Sequence, residues 1–209
     1  MKKVGIYSGT FDPVHEGHLA FARDAREHCG LDKVYFMVEP RPRRKQGVKA
    51  LEHRAEMVRI AIDGEPKFSS IVLNQQRFTA DKTLPVLMEI FKGAELHLLM
   101  GDDWLSHLAG WPQLEKLIKN VKFAIGIKKY DRKEIERRMA ALHHARGFSV
   151  QYDLFNVSKP GYSSSAIKRA VKNGKRPDGL TPRVYDYIRA NNLYLYEEVS
   201  DAGSDVISS

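Results

Sequence analysis

The chain reads as an α/β protein: a Rossmann-like, doubly wound, mostly parallel sheet with helices on both faces and a small helical C-terminal part. Three observations lead there. Short apolar runs alternate along the chain with stretches of helical length. The first run, Val4-Gly5-Ile6-Tyr7, passes through a sharp turn into the helical segment that begins Leu19-Ala20-Phe21-Ala22. The 209 residues, 43% hydrophobic and 29% charged, have the size and composition of an ordinary globular protein.

Taken in order, the first strand is Lys3–Ser8 and the first helix Glu16–Cys29, which Gly30 stops just before a second strand, Lys33–Val38. A helix at Leu51–Ile62 precedes a strand at Ser70–Leu73, and a helix at Lys82–Phe91 precedes the apolar strand Glu95–Met100. A short helix, Gln113–Asn120, leads to strand Val121–Ile127, and helix Arg132–Ala145 leads to strand Ser149–Asp153. Two helices close the chain. Ser164–Asn173 stops at Asn173-Gly174, and Pro182–Asn191 starts on a proline suited to a first helical position and stops at Asn191-Asn192. One domain is expected over residues 1–196, its helical C-terminal part at about 162–196, with a small polar tail at 201–209 expected to be disordered.

Composition narrows the function classes. No run of 18 apolar residues is present, so no membrane span is expected. Met1-Lys2-Lys3 leads into a strand with no secretory h-region, and a single cysteine makes no intrachain disulfide, so a cytoplasmic location is expected. The net charge of +8 suits nucleic acid or an enzyme with phosphorylated substrates. No zinc-finger, RNA-recognition or basic-zipper pattern is present, so nucleic acid is not the expected partner. The patterns G-x-G-x-x-G and G-x-x-x-x-G-K-[ST] are absent too, which argues against a dehydrogenase or a P-loop kinase.

The most informative string is Gly9-Thr10-Phe11-Asp12-Pro13-Val14-His15-Glu16-Gly17-His18. It places two histidines three residues apart on the first turn of a helix, hence on one face. A helix N-terminus carries free N–H groups and partial positive charge, which makes it a phosphate site, and two imidazoles add donors to the same anion. Gly17 leaves room for a ligand to approach the backbone. The plainer readings are a pair of solvated polar residues or half of a metal site. Zinc recruits three or four His, Cys or acidic ligands, and along the chain Cys29 stands alone while His143-His144 are adjacent and do not share a face. No protein metal site is expected.

The string resembles the signature of the nucleotidyltransferase superfamily, and Tyr162-Ser163-Ser164-Ser165-Ala166-Ile167-Lys168 resembles its second signature, Ile-Ser-Ser-Thr-x-Ile-Arg. Gly101-Asp102-Asp103, Trp111-Pro112 and Leu180-Thr181-Pro182-Arg183-Val184-Tyr185-Asp186-Tyr187-Ile188 extend the likeness to bacterial nicotinate mononucleotide adenylyltransferases, from Lys3 to about Tyr196. The resemblance implies transfer of AMP from ATP to nicotinate mononucleotide in NAD biosynthesis, with Mg2+ carried by the ATP and no dedicated protein cage for it. The attacking phosphate is already an anion, so no general base is needed. The protein has only to align the nucleophile and neutralise charge.

On this resemblance His15 and His18 act on the α-phosphate, with Gly9, Thr10, Phe11 and Gly17 around it. Ser163, Ser164 and Ser165 hold the β- and γ-phosphates, or cap the helix, or both. Lys168 stands where the motif has arginine; it keeps the charge but loses the bidentate fork. Arg43, Arg44 and Lys45, in the basic run after the second strand, are expected to meet a phosphate, with Arg54 matching an arginine of the family. Thr79 and Thr83 cap a helix or stand by the pyridine ring or its carboxylate. Trp111 is core or a stacking wall for the pyridine, and Asp102 accepts from ribose or pairs with a basic neighbour. A site for the acid form needs donors and no acidic side chain at the ring, so Glu39 and Asp81 would oppose it if they faced there. Two other readings compete: a related transferase for nicotinamide mononucleotide or another phosphorylated acceptor such as phosphopantetheine, and a non-catalytic nucleotide- or RNA-binding protein.

Overall fold

A computed structural model describes residues 1–41, 47–75, 77–147 and 149–195. The strands are β1 (Lys3–Gly9), β2 (Lys33–Val38), β3 (Phe68–Ile71), β4 (Glu95–Gly101), β5 (Val121–Ile127) and β6 (Tyr152–Asn156). The helices are α1 (Glu16–His28), α2 (Leu51–Ala61), α3 (Thr83–Ile90), α4 (Leu105–Leu108), α5 (Leu114–Ile118), α6 (Arg132–Arg146), α7 (Ser164–Lys172) and α8 (Pro182–Ala190). The strands form one six-stranded sheet in the order β3-β2-β1-β4-β5-β6, every pair parallel. This is the doubly wound order, and the winding reverses between β1 and β4. A crevice opens there at the carboxyl ends of the strands.

Alternation along the strands divides the core in two. Leu96, Leu98 and Met100 of β4, with Phe123 and Ile125 of β5, face α3, α5 and α6 through Leu84, Leu87, Leu117, Ile135 and Met139. Leu99 and Ala124 point to the other face, where Phe21 of α1, Met57 and Val58 of α2, Ile167 of α7 and Ile188 of α8 cover them. Each such side chain contributes about 1.5–3 kcal/mol by leaving water. Three helices end as expected. Gly30, Gly174 and Asn192 take left-handed φ of 63°, 70° and 52°. The amides of Leu31, Lys175 and Leu193 then close back on the carbonyls of Arg26, Ala170 and Ile188 at 2.9–3.0 Å. Thr181 caps α8 and Pro182 opens it.

Two strands are displaced from their expected places. β3 begins at Phe68 rather than Ser70, because Phe68 pairs with Val34 and is buried while Val72 is 44% exposed. β6 begins at Tyr152 rather than Ser149, because the buried pair Leu154 and Phe155 fixes its register against Ile125 and Gly126. A 3-10 turn at Asp102–Trp104 and the short α4 were not expected. Among the described residues no helix is long and apolar enough to cross a membrane.

Candidate active site

The turn after β1 is built around its own side chains. Phe11 takes a left-handed φ of 49° and folds its ring back over Gly9, where a Cβ would lie 2.8 Å from the ring. The ring then packs on Tyr7, Phe36 and His18 at centroid distances of 5.5, 5.6 and 5.1 Å. Gly17 serves a similar end. A Cβ there would lie 3.0 Å from His15 Nδ1 and 3.1 Å from Tyr162 Cβ, so its missing side chain makes room for the His15 ring. This packing role stands beside the expectation that Gly17 lets a ligand approach the backbone.

His15 is the N-cap of α1 and stacks on His18 with ring centroids 3.7 Å apart. The His15 backbone N–H donates to His18 Nδ1 at 3.2 Å, the returning half of a capping box. With Nδ1 accepting, the neutral His18 ring carries its proton on Nε2, as a donor. His18 lines the cleft described next, and His15 lies behind it, 7% exposed. Burial, and then the charge of Lys128, push the His15 pKa down to about 4. At neutral pH His15 therefore contributes hydrogen bonding and packing rather than charge.

The cleft has a volume of about 750 Å³ and opens between the ends of β1 and β4, a size suited to ligands larger than one nucleotide. Gly9, Thr10, Phe11 and His18 form one wall, and Ser164 of α7 reaches it from the C-terminal part. Thr79 and Trp111 line the far side, where Trp104 meets Trp111 edge-to-face at 5.3 Å. Three cations, Arg77, Lys82 and Lys128, and three carboxylates, Glu39, Asp81 and Asp103, share the lining.

Other expected site residues sit beneath the cleft. Arg54 is 1% exposed, and its guanidinium donates to the carbonyls of Lys49, Thr10, Glu39 and Pro40 at 2.7–3.0 Å. It holds together the chain leaving β1 and the chain leaving β2, spending four of its five N–H groups on backbone carbonyls. Thr83 is 1% exposed; its hydroxyl accepts from Thr79 N–H and donates to Arg77 C=O, both at 3.0 Å, so it ties down the turn before α3 and keeps Thr79 in the wall. Asp102 is fully buried, and its Oδ2 accepts from the amides of Lys128, Lys129 and Tyr130 at 3.0, 2.7 and 2.7 Å. It fastens the loop after β5 and so sets Lys128 into the cleft.

The second motif joins the first through Asp12. Lys168 Nζ donates to Asp12 Oδ2 at 3.1 Å, and the Tyr194 hydroxyl donates to Oδ1 at 2.6 Å. Burial, then the Asp12 carboxylate, push the Tyr194 pKa far up, so its proton stays in that bond. Lys168 is thus turned to Asp12 rather than into the cleft. Ser163 caps α7 by accepting from Ala166 N–H at 3.2 Å, Ser164 donates to Pro13 C=O at 3.0 Å, and Ser165 is exposed. Arg43, Arg44 and Lys45 lie outside the described residues, as does the tail at 201–209.

Lys128 is one of the cleft residues that sequence reasoning passed over, with Arg77, Lys82 and Trp104. Its signal was positional: it follows β5 directly, at the same end of the sheet as the histidines. Burial lowers its pKa, and its ammonium stands 4.6 Å over the Phe21 ring.

Residues 6–170 match the family model described as cytidylyltransferase-like. The nicotinate-nucleotide adenylyltransferase of Bacillus subtilis (strain 168) is 32% identical over 205 residues, covering 93% of this chain and 99% of that protein. A probable nicotinate-nucleotide adenylyltransferase of Carboxydothermus hydrogenoformans is 32% identical over 198 residues, covering 92% and 98%. Among solved structures, the Plasmodium falciparum nicotinic acid mononucleotide adenylyltransferase complexed with NaAD superposes with a TM-score of 0.75 at 19% identity, covering 94% of this chain and 98% of that one. The same enzyme complexed with APC gives 0.73.

Proposed function

The chain belongs to the cytidylyltransferase-like family, and from that premise we propose that its cleft transfers AMP from ATP to nicotinate mononucleotide, giving deamido-NAD and pyrophosphate in NAD biosynthesis. The observation that carries this reading is the stacked His15–His18 pair on the first turn of α1, beside a cleft at the sheet's switch point. A phosphate oxygen of the mononucleotide attacks the α-phosphorus, the bond to the bridging oxygen breaks, and pyrophosphate leaves. His18 Nε2–H and the positive end of the α1 dipole meet the α-phosphate, where negative charge gathers in the transition state. Lys128 lines the same cleft, close enough to His15 to shift its pKa, and offers charge to the leaving pyrophosphate. Mg2+ enters with the triphosphate as part of the substrate. On the same reading residues 1–196 act as one unit, since Lys168 and Tyr194 close on Asp12 of the first motif.

The acceptor ring is assigned to the wall of Thr79 and Trp111, with the indole as stacking surface. The sequence argument for the acid form asked for no carboxylate here, yet Glu39 and Asp81 both line the cleft. Glu39 Oε1 is occupied by the Ser8 hydroxyl at 2.7 Å and the Phe78 amide at 3.2 Å, and Asp81 bonds to Thr79. Preference for the acid therefore rests on Arg77, Lys82 and backbone donors. Pyrophosphate release with ATP and a panel of acceptors tests the activity. Nicotinate mononucleotide should exceed the amide by at least about tenfold in kcat/KM, roughly 1.4 kcal/mol. Equal rates would make the enzyme dual-specific, and preference for the amide would overturn the assignment of the pocket.

A further inference from the structure

At the end of the sheet away from the cleft, three residues distant in sequence come together. Cys29 caps the C-terminus of α1, His97 is on β4, and Asp153 is on β6. Their ligand atoms, the thiol sulfur, a ring nitrogen and a carboxylate oxygen, all lie within 4.8 Å of one another. His97 is 1% exposed, and its Nε2 is held at 2.6 Å by the Glu95 carboxylate. Its other nitrogen, Nδ1, is buried and has no partner among the described residues.

A buried polar nitrogen left open costs on the order of 1–3 kcal/mol, so its persistence calls for a ligand. The arrangement around it is the one metal-binding histidines use. A carboxylate takes one ring N–H, fixes the tautomer and leaves the other lone pair for an ion. We infer that Cys29, His97 Nδ1 and Asp153 form a site for a divalent zinc-class ion, with Glu95 as the carboxylate that orients His97.

The donor set selects the metal. Thiolate, imidazole and carboxylate together suit zinc or cobalt rather than magnesium or calcium, which take oxygen ligands. Charge also balances. A thiolate and the Asp153 carboxylate neutralise a divalent ion, while Lys122, 3.3 Å from Glu95, neutralises that group. Tetrahedral zinc bond lengths set ligand atoms roughly 3.3–3.6 Å apart, so the three, within 4.8 Å of one another, close by about 1.5 Å at most on binding. Asp153, half-buried, is the route of entry, and water fills the fourth position. On binding, the Sγ–H bond is exchanged for an Sγ–metal bond and one proton leaves to solvent.

Cobalt titration of the chelator-treated full chain tests this. The chain has one cysteine, so a thiolate-to-cobalt charge-transfer band reports Cys29 alone. The expected result is a band saturating at one equivalent of micromolar cobalt, with visible bands of tetrahedral intensity and release of one proton. The band should be lost in Cys29→Ser and weakened at least tenfold in affinity in Asp153→Asn, which changes a half-exposed residue and keeps the fold. Zinc at a hundredfold excess over its Kd should raise the thermal midpoint by about 5–10 °C. A wild-type chain with no charge-transfer band, or an Asp153→Asn chain with unchanged affinity, would overturn the assignment. None of these readouts uses adenylyl transfer, so the two proposals fail separately.

Discussion

His15 should remain neutral down to about pH 4, and the stability of the fold should record it. The ring is 7% exposed, stacked on His18, wedged against the open side of Gly17 and within reach of the Lys128 charge. Burial first, and Lys128 second, carry its pKa from 6.5 to about 4. The folded value lies below the unfolded one, so between those limits the unfolded chain binds the additional proton. Stability from this group is complete above pH 6.5 and is lost as pH falls towards 4. Integrating the linkage from pH 7 to pH 4.5 gives a loss of about 2 kcal/mol, a large fraction of a typical 5–15 kcal/mol. Urea denaturation at both pH values, at one ionic strength, would compare wild type with His15→Asn. Subtracting the two pH dependences cancels the other titrating groups and should leave that loss. Ring resonances followed by NMR should show one histidine titrating near 4, moving upward when ATP binds, because an anion favours the imidazolium. A His15 resonance titrating near 6.5, or an Asn variant with the wild-type pH dependence, would refute the reasoning.

His18→Ala should lower kcat on the order of 10²-fold or more, as lost transition-state donors do, while the lost capping bond costs only about 1 kcal/mol of stability; normal turnover of the folded variant would remove His18 from the α-phosphate. Arg54→Met should do the reverse, costing at least about 3 kcal/mol in chemical denaturation because four carbonyls lose their donor. Arg54→Lys should restore little, since an ammonium cannot span the same fork; full stability in either variant would contradict the geometry. Alanine at Arg43, Arg44 and Lys45 together should raise KM for ATP or the acceptor without moving the thermal midpoint, and unchanged KM for both would make the run a solvated loop.

The architecture was legible because its signals are local. Helix stops at Gly30, Gly174 and Asn192 and the apolar strands next to the switch point need only a few neighbours to be read. β3 and β6 moved because their register is set across the sheet, by Val34 opposite Phe68 and by Ile125 opposite Leu154. The metal-ligand candidates were hidden for the same reason: Cys29 stands alone along the chain and meets His97 and Asp153 only after folding.

Residue type told which positions matter to the site but not on which side of its wall they stand. Arg54, Thr83 and Asp102 are polar residues at the ends of strands and the starts of helices, where ligand contacts are expected, and a string of letters is the same whether such a side chain turns out or in. The structure turns all three in, each onto backbone groups of a segment that forms the wall: Arg54 onto Thr10, Thr83 onto Thr79, Asp102 onto Lys128. Within the first motif Gly9 and Gly17 act likewise, giving space to Phe11 and His15 so that His18 faces the cleft. A motif of this kind encodes a folded turn at least as much as a set of contacts. Substitutions should therefore divide by burial rather than by membership of the motif: Gly17→Ala and Asp102→Asn should lower stability and rate together, whereas His18→Ala should lower rate far more than stability. A Gly17→Ala chain with wild-type stability would show that the turn is softer than the 3.0 Å approach to His15 implies.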